Sequence, residues 1–285
     1  MIDLQLPNVA RWSDRVVVAL GQNPGVFTGP GTNTYLIGTG KRRILLDTGQ
    51  GRESYLPVLD AALEQAGCEG IQEIVLTHGH EDHIGGARSI IERYGAMRIS
   101  KQPWAGVDDR HGLTITTIGE GSVVRTEGAT LRAIHAPGHA EDHLCFVLEE
   151  EGSLFSGDNV LGVGTTVIPG QGGDLRQYMN SLDRLLAQEP AAIYPAHGPL
   201  IQDGEAKIRE YIAHRQMRED QILAALDAGP LAIPEIVAQI YADYPPSLHG
   251  PAGESVGSHL RKLESEGRAR TAKDCGSATV RWELL

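Results

Sequence analysis

Cysteine, positive charge and long apolar runs are all scarce in this 285-residue chain. The three cysteines, Cys68, Cys145 and Cys275, stand in no ligand-like spacing. Such an odd, sparse set speaks against a disulfide framework and fits free thiols in a reducing compartment. Lys and Arg number 25 against 37 Asp and Glu, for a formal charge of -12. Bulk electrostatic grip on nucleic acid needs clustered cations, so strong binding of that kind is not expected. No apolar run is long enough to span a bilayer, so no membrane partner is expected. The N-terminus carries no basic stretch leading into an apolar one, and a cytoplasmic location is the expectation.

What the chain does have is apolar residues, 41% of the total, and 35 glycines. The first is enough for a sizeable core. The second falls mainly between short β-type runs, where tight turns need it. Strands are expected at Arg15–Leu20, Thr34–Gly38, Arg43–Asp47, Ile74–Thr77, Thr130–Ala136, Leu144–Glu149, Ser153–Ser156 and Ala192–Tyr194. Helices fit Ser54–Ala66, Ile84–Tyr94 and Asp174–Gln188. Strand pairs with interposed helices imply a layered α/β architecture. Near residue 205 the character changes. A long helix, Glu205–Leu226, precedes shorter ones at Pro234–Ala242 and Glu254–Glu266. Two short strands, Arg268–Lys273 and Ala278–Leu284, then flank a turn at Cys275–Ser277. The outline is that of a small winged-helix-like domain over residues 205–285, behind a catalytic domain over 1–204. Residues 231–285 have six Lys/Arg against seven Asp/Glu. The tail reads as a lid or a homodimer contact that shapes the cleft, in preference to a DNA reader.

The densest chemistry is Thr77-His78-Gly79-His80-Glu81-Asp82-His83, directly after an apolar run. His78 and His80 are two apart on a chain leaving a strand, so both imidazoles can point one way. Asp82 and His83 would sit on the first turn of the next helix, facing the same spot. Imidazoles and carboxylates are the ligands that borderline metals such as zinc prefer. Pro137-Gly138-His139, Ser156-Gly157-Asp158 and Pro195-Ala196-His197-Gly198 each place another such residue just beyond a strand end. His111, His214, His249 and His259 have no partner at ligand spacing, and His135, within a strand, reads as a core histidine.

With these residues together, the chain resembles the metallo-β-lactamase superfamily. Its five motifs are matched in order by Asp47, by His78/His80/Asp82/His83, by His139, by Asp158 and by His197. The resemblance implies a four-layer αββα sandwich with two Zn2+ ions per chain at one edge of the sheets. It implies that His78, His80 and His139 hold the first ion, that Asp82, His83 and His197 hold the second, and that Asp158 bridges both. Asp47 would orient a ligand histidine from behind, and His143 would give similar support. Asn23-Pro24-Gly25, Gly31-Thr32-Asn33-Thr34-Tyr35, Gly162–Thr166, Tyr178-Met179-Asn180-Ser181 and Ala206-Lys207-Ile208 look like the β-lactamase-like protein 2 group. Its animal member is an endoribonuclease for single-stranded RNA, and its relatives include fungal thioesterases that release polyketides from carrier proteins. Asn33 and Thr166 are candidate substrate contacts.

Two zinc ions about 3.5–4 Å apart can hold a bridging water whose pKa falls from ~15.7 to about 7. The expected activity is therefore a dinuclear zinc hydrolase in which Asp82 and Asp158 take part in catalysis. An endoribonuclease-like phosphodiesterase acting on single-stranded RNA comes first. A thioesterase, of glyoxalase II or acyl-carrier type, comes second, and a β-lactamase third; a small-molecule substrate suits either. Against RNA stand Gly79 and Glu81, at positions where the animal members carry an aromatic and a basic residue. A winged-helix binder with structural zinc is the non-enzymatic alternative. Structural sites are closed by four protein ligands per metal, whereas seven ligands with one shared leave room for water.

Overall fold

A computed structural model describes residues 4–246, 249–272 and 280–285. Seven strands form the first sheet in chain order: β1 (Val9–Arg11), β2 (Val16–Leu20), β3 (Asn33–Ile37), β4 (Arg42–Leu46), β5 (Gly70–Val75), β6 (Arg98–Lys101) and β7 (Ile115–Thr117). Pairing is antiparallel up to β4 and parallel from β4 to β7. The second sheet comprises β8 (Val123–Thr126), β9 (Ala129–His135), β10 (Leu144–Leu148), β11 (Ser153–Gly157) and β12 (Ile193–Pro195), in the order β12-β11-β10-β9-β8.

The central strands are buried on both faces, and the two-residue side-chain period sorts them into different cores. Val16, Val18, Tyr35, Ile37, Ile44 and Leu46 face the second sheet and meet Leu144, Phe146, Leu148 and Phe155 there. Their neighbours Val17, Ala19, Leu36 and Leu45 face outward, against α1 (Tyr55–Ala66), α2 (Glu81–Ile84) and α3 (Ala87–Tyr94). On the far side, Cys145, Val147 and Leu154 pack under α4 (Leu175–Leu186) and the first half of α5 (Gly204–Leu226). The layers therefore run helix, sheet, sheet, helix. Among the described residues no helix is long and apolar enough to cross a membrane.

The C-terminal module has its own core. β13 (Leu231–Ala232), β15 (Arg281–Leu284) and β14 (Ala269–Thr271) form a three-stranded sheet in that order, beside α6 (Ile233–Ile240) and α7 (His249–Ser265). Ile222 and Leu226 of α5 pack into this core with Ile236, Val256, Leu260 and Trp282. Ile208 and Tyr211, three turns earlier, belong to the larger fold. Residues 204–226 thus serve both units, although the expected boundary lies at the start of α5. The turn expected at Cys275–Ser277 lies outside the described residues.

Two expectations are corrected, and some strands stand where none was expected. The helix expected over Ile84–Tyr94 is two, α2 and α3, separated by Gly85 and Gly86. The Gly86 amide donates to the Gly49 carbonyl, and a Cβ there would lie 2.0 Å from the Thr48 carbonyl oxygen. α7 begins before Glu254, with Pro251 in its first turn, where a missing N–H is no loss. The short strands β1, β6, β7 and β8 carry too few alternating apolar residues to stand out, and tertiary pairing creates them.

Close approach explains the Pro-Gly-His motif. Gly138 has φ +128°, and a Cβ there would stand 2.3 Å from the backbone nitrogen of Tyr178, near the start of α4. Gly138→Ala should therefore destabilise the fold by about 2–5 kcal/mol, combining backbone strain with overpacking. Urea denaturation would measure the loss, and an unchanged midpoint would show that α4 does not need this approach.

Candidate metal centre

β4 and β5 run parallel, so Asp47 and His78 leave the first sheet at the same edge. β9 and β11 are each antiparallel to β10, and β12 is parallel to β11, so His139, Asp158 and His197 leave the second sheet in a common direction. Donors far apart in sequence are thereby delivered to one place. The ligand atoms of His78, His80, His139 and Asp158 all lie within 4.8 Å of one another, as do those of Asp82, His83 and His197.

Asp158 joins the two groups. Its Oδ2 lies 3.4 Å from His139 Nε2, while its Oδ1 lies 3.1 Å from His197 Nε2 and 3.4 Å from His83 Nε2. Asp82 Oδ2 lies 3.3 Å from His197 Nε2 and 3.4 Å from His83 Nε2. On the other side, His80 Nδ1 stands 2.9 Å from His78 Nε2 and 3.0 Å from His139 Nε2.

This donor set fits metal ions. Burial holds His78, His80 and His139 below the usual imidazole range, aided at His78 by His83 and at His80 by His139; His80 falls to about 4. Three neutral rings therefore converge, with more lone pairs than hydrogens between them. Burial works against charge on His83 and His197 as well, but the carboxylates outweigh it, Asp82 foremost at His83 and Asp158 at His197. His83 is raised well above its usual value and His197 to about 10. Those same pairings overcome burial and hold Asp82 and Asp158 below the carboxylate range. The charge drawn onto these rings is charge that a cation would bring instead. His83 Nε2 and Asp158 Oδ1 are also buried without a hydrogen-bond partner. Buried polar atoms are seldom left so, and a metal ion would satisfy both.

Behind the donors lies a supporting layer. Asp47, at φ 60°, accepts from the Thr77 backbone N–H at 2.8 Å, the Thr77 hydroxyl at 2.9 Å and His83 Nδ1 at 2.7 Å. A proton on His83 Nδ1 leaves Nε2 free to face the cluster. His143, buried and held well below its usual pKa by burial and His139, accepts the Asp158 backbone N–H at Nε2, 3.1 Å away. Gly157 allows this, because a Cβ there would lie 2.6 Å from the same nitrogen.

The sequence offers no direct sign of several other supports. The Thr32 hydroxyl donates to Asp82 Oδ2 at 3.1 Å, and Asn23 holds Thr32 from behind. Thr32 lies within the Gly31–Tyr35 motif, where Asn33 drew attention instead. Lys101 is fully buried between Asp142 at 2.5 Å and Asp108 at 2.8 Å, and so ties the 104–111 loop to the loop bearing His139. Gly79 faces that loop: a Cβ there would lie 3.3 Å from both Val107 and Asp108. Trp104 sits on it, its ring centroid 5.9 Å from that of His80.

The two candidate substrate contacts fare differently. Asn33 is corrected: it is 1% exposed, and its amide donates to the carbonyls of Pro195 and Gly198 at 2.9 and 2.8 Å, bracketing His197. It positions a donor and does not line the pocket. Thr166 does line it, but its hydroxyl is turned inward, 2.5 Å from the Asp158 carbonyl oxygen.

Because Asp47 acts on the cluster through His83, Asp47→Ala should weaken cation binding by about 10–100-fold. Chelator competition followed by metal analysis would read this, and wild-type affinity would show that the ring needs no such partner.

Comparison with known proteins agrees with this architecture. Residues 27–197 match the metallo-beta-lactamase superfamily, and residues 232–282 match the beta-lactamase associated winged helix domain. An atrochrysone carboxyl ACP thioesterase of Paecilomyces divaricatus is 46% identical over 78% of this chain and 68% of its own. A beta-lactamase-like protein 2 homolog of Drosophila melanogaster is 38% identical over 94% of both. A beta-lactamase domain protein from Burkholderia ambifaria superimposes with a TM-score of 0.82 over 97% of this chain and 93% of its own; at 19% identity this shows the fold alone. Ordered motifs, layered sheets and converging donors have one common explanation: the chain belongs to the metallo-beta-lactamase superfamily of hydrolases.

Proposed function

We propose that this hydrolase cleaves an acyl thioester with two zinc ions held by His78, His80, Asp82, His83, His139, Asp158 and His197. The observation that carries the reading is the pocket beside the donors. About 240 Å³ in volume, it is walled by Val26, Phe27, Leu161, Val167 and Pro169 and has no Lys or Arg in its lining. A neutral, apolar acyl group gains from such walls. A polyanion would find no cationic Lys or Arg side chain along these walls. The thioesterase from Paecilomyces divaricatus, so named, supports the same direction.

Zinc, when bound, lowers the pKa of water and offsets negative charge growing on a carbonyl oxygen. The chain's own residues do the rest. Asp82 keeps 19% of its side chain accessible beside the pocket, where a carboxylate can hold a proton leaving the nucleophile. Thr32 fixes the orientation of that carboxylate. Val26, Phe27 and Val167, 58%, 65% and 40% exposed, are the apolar surface that an acyl chain would cover.

RNA, the substrate that the motifs favour, becomes the second reading, and one observation keeps it. Trp104 and Arg110 line a separate, more polar hollow that reaches His80, and aromatic rings and guanidinium planes are groups on which bases stack. Glu81 and Glu141 line the same hollow and oppose phosphate.

The test uses zinc-loaded protein, chelator-stripped protein, and the Asp82→Ala and Asp158→Ala variants. Each is assayed against a glutathione thioester, an acyl N-acetylcysteamine thioester, single-stranded RNA and a chromogenic β-lactam. Thioester turnover should dominate, vanish on chelation, return with zinc, and fall about 1000-fold or more in both variants. RNA cleavage lost in the variants, with no thioester turnover, would overturn the proposal in favour of the second reading.

A further inference from the structure

Between β11 and α4 the chain crosses residues 161–174 without regular structure, and three consecutive carbonyls there are each claimed by a different partner. The Thr166 carbonyl accepts from the Arg215 guanidinium of α5. The Val167 carbonyl lies 2.8 Å from His139 Nδ1. The Ile168 carbonyl lies 3.0 Å from the Ser258 hydroxyl of α7, whose one proton is shared with the Glu254 carbonyl at the same distance.

The middle contact settles a proton. A carbonyl oxygen only accepts, so His139 must carry its hydrogen on Nδ1, which leaves the Nε2 lone pair free to face His80 and Asp158. The Val167 carbonyl can do this only while the loop holds its position, and no sheet ladder fixes it. Its neighbours on either side are held from outside the sandwich. Arg215 is 5% exposed and lies over the Tyr178 ring, 5.4 Å from its centroid, so its head group has little freedom. Ser258 is 4% exposed, and Arg261 donates to its oxygen at 3.0 Å. Tyr211, also on α5, donates to the Gly164 carbonyl at 2.9 Å, earlier in the same loop.

We propose that α5 and the C-terminal module are a positioning element of the metal centre: Arg215 and Ser258 hold the carbonyls flanking Val167, so that the Val167 carbonyl keeps His139 in the tautomer and orientation that bind a cation. On this view the appended module contributes to metal affinity through a hydrogen-bond relay, without touching metal or substrate. The inference concerns the donor set alone and does not depend on whether the substrate is a thioester or RNA.

The test uses the full chain, stripped of metal and titrated with Co2+, whose visible absorption reports the ligand field, together with chelator competition for affinity. Arg215→Met should weaken Co2+ binding by about 10-fold, toward the lower end of effects on a ligand's partner, and Ser258→Ala by several-fold. Both should alter the cobalt spectrum, and Arg215→Lys should recover part of the loss. Val237→Ala loosens the small module's core on α6 without touching the loop. It should lower the unfolding midpoint and leave cobalt affinity and spectrum unchanged. Wild-type spectra and affinities in both Arg215→Met and Ser258→Ala would overturn the relay. So would an equal shift in Val237→Ala, which would mean that general loosening is enough. Should Arg215→Met fail to fold, Ser258→Ala alone decides.

Discussion

Three neutral imidazoles and two imidazoles paired with two carboxylates are held together at one edge of two sheets. Three ring nitrogens within 3.0 Å of a neighbour, and two carboxylates sharing the same imidazoles, would not gather in a flexible chain. The sandwich imposes the gathering. β4 and β5 deliver Asp47 and the His78–His83 segment, while β9, β11 and β12 deliver His139, Asp158 and His197. Tightly packed interiors resist deformation, which lets strand ends hold such a set.

Outward from the donors, control passes to residues that never face the cluster. Asp47 and Thr77 hold His83, His143 holds the backbone of Asp158, Thr32 holds Asp82, and Asn33 holds the turn around His197. His78 and His139 are each fixed through the ring nitrogen away from the cluster, His78 by the Thr77 hydroxyl and His139 by the carbonyl of a loop braced from the C-terminal side. The appended module has thus acquired a reason to be in contact with the larger fold. Its buried Glu219, which receives Lys262 and Arg268, gives α5 and α7 a charged tie beneath the apolar one. Lys262 is thereby drawn in against α5, its side chain 13% exposed.

Around the donors, two hollows of opposite character meet at His80. One is apolar and narrow, and the other is wider, more polar and bordered by Trp104. The apolar wall moves the proposed substrate from a phosphodiester toward a thioester. The motifs alone cannot decide between them, because an activated water attacks either electrophile and the ligand set is common to both. Selection is left to the walls, and the walls come from segments with no recognisable signature, such as Val26-Phe27 and Val167.

The donor set, the alternating strands and the outline of the C-terminal module were all legible in the residues themselves. Each is a local pattern: two-residue spacing puts His78 and His80 on one side of an extended chain, and the same period sends Val16 and Val18 one way and Val17 the other. Tertiary structure alone decided that Asn33 grips carbonyls at 195 and 198 instead of substrate, that Gly86 breaks a helix against Thr48, and that Lys101 is buried between Asp108 and Asp142. It also decided which oxygen of Asp158 faces which group of histidines, Oδ2 toward His139 and Oδ1 toward His83 and His197. In all of these the partner lies far along the chain or depends on which faces are pressed together. Spacing along a sequence specifies what kind of group stands on which side of its own element. What that group meets is specified only when the layers close.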